Sequence, residues 1–484
     1  MQLSQDDFEQ ILKIGIELSA EKNENRILAS ILENGMAITH CDAGTVYLYE
    51  EGQLVSHMMQ TVSLGINRGG DGKAIADLPP VPMQEKHICA YTAIHREIVQ
   101  IPDIYDSDRF DFSGQKCSDS RMGYHTTSML TVPVQNHEKE LIGVLQMMNA
   151  QNEKGDVVPF ENQYHLVIQS LASLAAIELT NLRYVEEIKA QLHSFVEAMA
   201  TAIDERTPYN GTHTRKVAEY AEKLAKQINQ KHAQGKCAEY FDEERMEILL
   251  LAALLHDIGK MIVPLSVMNR ATRLDRDLAK IEDRFELLRT FYEVDMLRGR
   301  ITKAAYEEKM RELDDDLALI YEINGMGILD DVHYEKVCIL ARKKHRKTDG
   351  TVTPYITQQE AKYLKIRRGT LTDEDRKQME GHVVMTGKIL SKVHFNRQYQ
   401  NVQKWAASHH EFLDGTGYPD HLTADRLDLE SRILTVADIY DALTARDRPY
   451  KKPMPREQAM EILRSMAADG KIEPDLVNWL DEAL

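Results

Sequence analysis

The chain has 484 residues, enough for two large domains or three ordinary ones, each able to bury a core without a disulfide or metal staple. Its 59 Lys and Arg face 77 Asp and Glu, a net charge of −18. That balance excludes a scaffold for a nucleic-acid polymer, which needs cations along its phosphates, and requires that any small phosphate ligand be met by cations concentrated locally. The five cysteines, Cys41, Cys89, Cys117, Cys237 and Cys338, form no C-x-x-C pair. We therefore expect a reduced, cytoplasmic chain with no disulfide framework and no thiolate zinc site. The first residues lack a basic-then-apolar leader, and no run approaches the roughly 18 apolar residues of a membrane span, so no membrane partner is expected.

In chain order, helical periodicity covers residues 8–18 and 26–38. Short apolar runs then predict strands at 45–49 (TVYLY), 129–134 (MLTVPV) and 141–148 (LIGVLQMM), and a further helix covers 164–182. Segments 67–86 and 107–123 read as loops over the sheet. Strands in the middle with helices at both ends predict an α+β domain with one sheet. This order, with its VPV and GVLQMMN runs, resembles a GAF domain over residues 9–182, which implies a central antiparallel sheet and a regulatory role. No nucleotide-specific motif stands out at 143–155, so the ligand of this domain is not named by the sequence.

The exit helix continues. Leu182, Val185, Leu192, Val196, Met199 and Ile203 follow one another at steps of 3, 7, 4, 3 and 4. This heptad-like seam predicts a connecting helix over 183–207 that pairs with its twin in a homodimer; the plainer alternative is an amphipathic helix packed on its own domain. Pro208 should end it. The remainder, 208–484, is patterned for helices throughout. Within it, about 272–366 is dense in charge and reads as an insert of helical hairpins with a loop at 347–354.

Five segments of this helical half carry polar groups in apolar surroundings. They are His213 in GTHTRKV, His256 and Asp257 in LLHDIGK, His382 in MEGHVVMTG, His409 and His410 in ASHHEFLDGTGYP, and Asp438 in TVADIYDALTA. Burying a carboxylate or imidazole in such runs costs several kcal/mol unless it is paired or ligates a metal, on the order of 2–7 kcal/mol even for neutral polar groups. A lone His-Asp pair is a chance event in a chain this rich in both; the ordered set is not. Nitrogen and carboxylate ligands without thiolate suit iron or manganese, with nickel or zinc also possible. Seven ligands are too many for one catalytic ion and suit two, with Asp257 bridging them.

At these residues the chain resembles the HD-GYP family of HD phosphohydrolases. The resemblance rests on His256-Asp257-Ile258-Gly259-Lys260, on His409-His410-Glu411 followed by Gly417-Tyr418-Pro419, and on Asp438 through Lys451. It covers about residues 200–310 and 365–480. It implies an all-helical domain that hydrolyses cyclic di-GMP to the linear dinucleotide or to GMP. His213, His256, Asp257, His382, His409, His410 and Asp438 would then be metal ligands. Lys260 would meet the scissile phosphate, and Arg448 and Lys451 the ligand phosphates. Independently, Lys260 follows a glycine that can end a helix, so its ammonium can swing toward developing negative charge. Gly415 and Gly417 would let a loop approach a ligand by its backbone, and Tyr418 offers a face to a purine.

Three features depart from the family. Tyr209 stands where some members carry a Glu that supports a third metal, which points to two metals and a linear dinucleotide product. Thr207 replaces an acidic residue. His256 and His382 are 126 positions apart, so the insert must leave and re-enter without disturbing either ligand. The competing substrate is 3',3'-cyclic GMP-AMP, because the named contacts see phosphate rather than base. The competing class is an inactive cyclic-dinucleotide-binding protein, against which the complete ligand set and Lys260 argue.

Overall fold

The computed structural model describes residues 5–70, 73–75, 78–206, 211–275, 277–347, 350–445 and 453–484. Two compact units, Met1–Gln191 and Leu192–Leu484, each enclose cores of their own.

The N-terminal unit begins with α1 (Gln5–Ala20) and α2 (Glu24–Thr39). The Asn23 side chain caps α2 by accepting from the Arg26 amide, and His40, in left-handed conformation, ends it. Strands β1 (Cys41–Glu50), β2 (Gln53–Thr61), β3 (Ile66–Gly69), β4 (Val81–Pro82), β5 (Val99–Ile101), β6 (Met129–Gln135), β7 (Leu141–Gln151) and β8 (Val157–Val158) form one antiparallel sheet. Its order is β3-β2-β1-β7-β6-β5, with β4 on β2 and β8 on β7. Alternation assigns the two faces. Val46, Leu48, Leu130, Val132 and Leu145 pack with α1 and α2. Ala43, Met129, Val144 and Met148 pack with α3 (Ile88–His95) on the other side.

Both segments read as loops contain regular structure. Residues 67–86 include most of β3 and all of β4, and 107–123 include α4 (Ser113–Met122). Neither carries a pattern that periodicity can detect. β3 is a short edge strand with no buried residue, and Asp119 is the one buried residue of α4. What holds α4 in place is polar: the Asp119 carboxylate accepts from the Thr126 amide at 2.8 Å and the Gln115 amide at 2.9 Å.

Helix α5 (His165–Asp204) is continuous. With the turn before it, Asn162–Asp204 is long and apolar enough by length and composition alone to cross a membrane, yet much of its apolar surface is covered by the two cores. Ile168, Leu171, Ala172, Ala175 and Leu179 lie in the N-terminal core, and Val196, Ala200 and Ile203 in the C-terminal one. Of the six seam positions, Leu192, Val196, Met199 and Ile203 thus serve the chain's own core. The exposed apolar residues of this helix include Tyr184, Val185, Ile188 and Phe195 instead.

The C-terminal unit packs α6 (His213–Ala233), α7 (Glu243–Leu255), the short α8 (Leu265–Met268), α13 (Asp373–Leu390), α14 (Val402–Ala406), α15 (Leu429–Thr444), α16 (Arg456–Ala468) and α17 (Pro474–Ala483). The intervening insert holds α9 (Asp277–Leu297), α10 (Lys303–Asn324), α11 (Asp331–Leu340), a hairpin of β9 (Lys344–Arg346) and β10 (Val352–Pro354), and α12 (Gln358–Leu364). The insert is therefore not purely helical, because β10 occupies the end of the expected loop. It has a core of its own around Phe285, Leu288, Leu313, Ile320, Val337, Tyr355 and Leu364.

The insert closes on itself at its neck. Arg273, wholly buried, donates to the carbonyls of Ile323 at 2.7 Å, Ile366 at 3.2 Å and Met326. Outside it, Thr370 donates to the Arg270 carbonyl at 3.0 Å, and Arg270 pairs with Asp375 at 2.7 Å. One guanidinium thus ties the entry strand to the end of α10 and to the exit. Ile323 keeps its bond from the Met326 amide, but Arg273→Ala strips the Ile366 and Met326 carbonyls of their donor, at about 1–3 kcal/mol for each one left unsatisfied. Denaturant unfolding of the C-terminal unit should lose at least about 2 kcal/mol; an unchanged midpoint would show that Arg273 does not hold the neck.

Candidate metal centre

Five helical segments converge on one buried point. His213 is the first residue of α6, and His256 directly follows α7, with Asp257 beside it. His382 lies in the middle of α13, His409 and His410 just beyond α14, and Asp438 in the middle of α15. His256 is 0% exposed, and Asp257, His382 and His409 are 1% exposed each.

Asp257 is the hub. Its Oδ2 lies 3.2 Å from His213 Nε2 and 3.3 Å from His256 Nε2. Its Oδ1 lies 3.3 Å from His382 Nε2 and 4.0 Å from His409 Nε2. Asp438 completes the first half, with Oδ1 3.3 Å from His213 Nε2, and reaches the second through Oδ2, 3.7 Å from His410 Nδ1. Among the described residues, three groups are each compact enough to hold a cation: His382, His409 and His410; His213, His256 and Asp438; and His256, Asp257 and His409. All seven expected ligands are thus brought together.

The imidazoles are aimed. Nδ1 of His256 donates to the Ala253 carbonyl at 2.6 Å, that of His382 to Met379 at 2.5 Å, and that of His409 to Ala406 at 2.7 Å. His213 Nδ1 meets Asp441 Oδ2 at 2.6 Å. With Nδ1 carrying the proton, each Nε2 turns a lone pair to the centre, the arrangement by which outer partners orient metal-binding histidines. Asp441 was not singled out in the sequence. Its signal was its place three residues after Asp438 on a buried helical face, where an unpaired acid would be costly.

The ring is incomplete as it stands. His213 Nε2, His256 Nε2 and Asp257 Oδ1 are buried and have no hydrogen-bond partner. A cation would satisfy them, so the residues present fit a multinuclear metal site. The electrostatics agree. Burial opposes charge on Asp257, but Lys260 and His256 hold its carboxyl well below the usual range. Asp438 is likewise held down against burial, chiefly by His213. Burial, with His410 and His256 adding to it, keeps His409 neutral, and burial pushes His410 down to about 4. His213 differs: burial works against its protonation, yet Asp257, Asp438 and Asp441 carry it well above its ordinary value, so a cation there would have to displace the Nε2 proton.

The surrounding elements fix these groups closely. A Cβ on Gly259 would sit 1.9 Å from the His382 carbonyl oxygen, so only glycine lets this turn lie against α13. Thr386 binds both sides of the contact, accepting from the Gly259 amide at 3.0 Å and donating to the His256 carbonyl at 2.9 Å. Lys260 Nζ lies 2.5 Å from Asp257 Oδ2. Tyr418 places its ring 4.9 Å from that of His410. Gly417 packs the loop closely on the chain itself: a Cβ there would meet the Phe412 amide at 2.4 Å. Glu411, named in the motif but given no role there, holds the loop that includes Pro419 by accepting from the amides of Asp420 at 2.7 Å and Leu422 at 3.0 Å. Thr207, Tyr209, Arg448 and Lys451 lie outside the described residues.

A GAF domain model matches residues 23–179, an HD domain model 210–366, and a second HD domain model 359–476. The 3'3'-cGAMP-specific phosphodiesterase 3 of Vibrio cholerae serotype O1 is 36% identical over 116 residues, 24% of this chain and 24% of that protein. The cyclic di-GMP phosphodiesterase of Thermotoga maritima is 35% identical over 113 residues, 23% of this chain and 30% of that protein. The match thus spans only a quarter to a third of these relatives' own lengths. Among solved structures, the GAF domain of Acinetobacter phosphoenolpyruvate-protein phosphotransferase is 15% identical, covers 38% of this chain and 99% of that one, and gives a TM-score of 0.29. The chain thus carries an N-terminal GAF domain followed by HD-domain sequence, and cyclic-dinucleotide phosphodiesterases are among its distant relatives.

Proposed function

We propose that the chain is a metal-dependent phosphodiesterase that opens cyclic di-GMP to the linear dinucleotide. One observation carries this reading: the two oxygens of Asp257 face two different pairs of imidazoles, each with Nε2 turned inward. His213, His256 and Asp438 would hold one ion and His382, His409 and His410 the other, with Asp257 shared. Iron or manganese suits this donor set best, with nickel or zinc as alternatives. Such a pair supplies an activated water and neutralises phosphoryl oxygens.

The chain's own groups do the rest. Lys260, held at Asp257, is placed to meet negative charge growing on the scissile phosphate. Tyr418, beside His410, offers a ring face to a base at the mouth of the site. Arg448 and Lys451 would bind phosphate from the segment after α15. The GAF domain would set the rate. The exposed Tyr184, Val185, Ile188 and Phe195 on α5 favour pairing with a second copy in a homodimer.

A second reading, hydrolysis of 3',3'-cyclic GMP-AMP, is favoured by the Vibrio cholerae relative's name. Anaerobically purified protein, incubated with each dinucleotide, should yield a linear dinucleotide from cyclic di-GMP. Cleavage of the hybrid alone would move the assignment to the second reading. Metal retained with neither substrate cleaved would leave an inactive binding protein.

Two variants test the site itself. His256→Ala combined with Asp257→Ala should abolish both metal retention, read by elemental analysis from about two ions per chain, and hydrolysis, while far-ultraviolet circular dichroism keeps its helical signal. Full activity in that variant would mean the site lies elsewhere. Asp441→Asn removes the carboxylate that orients His213 and should weaken metal affinity about 10–100-fold. A metal titration that superimposes on the wild type would deny it that role.

A further inference from the structure

The last turn of α5 reaches two elements that carry the site. At its end, Asp204 is 1% exposed, and its Oδ1 accepts from the Thr214 hydroxyl at 2.6 Å, one residue from His213. Two residues on, Arg206 extends its guanidinium to the opposite side. Nη1 donates to the Lys260 carbonyl at 2.6 Å and Nη2 to the Val263 carbonyl at 2.8 Å. These carbonyls belong to the middle residue of the turn Ile258–Ile262, which begins directly after Asp257, and to the residue that follows the turn. The opposite face of the same turn is pressed on α13 through Gly259 and Thr386.

We propose that Arg206 is a positioning residue for Lys260. A planar fork that binds two carbonyls three residues apart fixes the second half of this short turn, from Lys260 to Val263, which a single ammonium does less well. Lys260 is the one long, flexible side chain of that turn that reaches the centre, 2.5 Å from Asp257. Held at both carbonyls, its backbone presents the ammonium to the substrate side of the site. Released, the turn keeps its contact with α13 but loses its outer restraint, and the ammonium samples other directions. Asp204 secures α5 to the start of α6, so that Arg206 works from a fixed base. The end of α5 is thereby part of the apparatus that places Lys260, an assignment that rests on the reading of Lys260 as the phosphate contact.

The experiment compares the metal-loaded full chain with its Arg206→Ala and Arg206→Lys variants in two ways. First, acylation of Lys260 by a small amine reagent is followed by peptide mass spectrometry, which needs no substrate. Its rate should rise at least about threefold in Arg206→Ala, as expected for local opening of a turn. Second, kcat should fall at least about tenfold with KM changed far less, as misplacement of a reacting group requires, while metal content and Tm stay at wild-type values. Arg206→Lys should recover part of both effects. Unchanged Lys260 acylation together with unchanged kcat overturns the proposal. So does a loss of kcat that follows lost metal or a lowered Tm, because Arg206 would then be a merely structural anchor. If the wild type cleaves neither cyclic dinucleotide, the hydrolase reading fails, and the acylation rates alone decide whether Arg206 restrains Lys260.

Discussion

The carboxylate of Asp257 sits in the interior at 1% exposure, with imidazoles against both of its oxygens. Stripping water from an ionised carboxylate costs several kcal/mol, and the low-dielectric surroundings repay it only where opposite charge or a metal stands close. The architecture of the C-terminal unit answers that demand. α6, α7, α13, the segment after α14, and α15 each deliver a group to the same point. The delivery must be exact to a few tenths of an ångström, and the chain achieves it with a repeated device. Three of the histidines bind, through Nδ1, the carbonyl three residues before them. Ring orientation thus follows directly from local backbone, and helix packing has only to place the backbone.

That division of labour explains how an insert can lie between two groups of one site. His256 and His382 are not related by chain proximity, but by the contact of the Gly259 turn with α13. Thr386 binds the backbone of residues 256 and 259 directly, so the register of α13 is set locally. The insert brings its own core and closes its neck through Arg273, which asks of the surrounding fold only that two chain segments lie close together. Its internal arrangement can change without moving either histidine.

How much of this was legible followed from the kind of force at work. The seven converging side chains could be read because each breaks an apolar pattern, and burial makes such breaks expensive. The sheet was legible where strands are buried on alternating faces, at 45–49 and 129–148, and invisible at β3 and α4, whose places are fixed by pairing and by Asp119 rather than by apolar stripes. The heptad spacing of α5 marked real apolar contacts but not their partner. Periodicity records that a face is covered, and Val196 and Ile203 are covered by the chain's own C-terminal core. Gly417 illustrates a related point. Its position signals a close backbone approach, and the sequence does not name Phe412 as a group approached.

The two halves of the centre are electrically unequal, and the inequality originates in α15. Spacing of three places Asp438 and Asp441 on one face of that helix, and both meet His213. With Oδ2 of Asp257, they surround one imidazole with three carboxylates. The other half is built from His382, His409 and His410, of which His409 and His410 are held neutral by burial first and by neighbouring imidazoles. A cation on the His213 side would therefore meet concentrated negative charge, whereas one on the other side would meet mostly imidazole nitrogen, with Oδ1 of Asp257 and, farther off, Oδ2 of Asp438. Oxygen-rich surroundings favour harder ions and nitrogen-rich ones the borderline ions. The two positions are thus chemically distinct although a single carboxylate joins them. Lys260 lies on the anionic side, at the Asp257 oxygen that faces His213, where a positive charge is best retained.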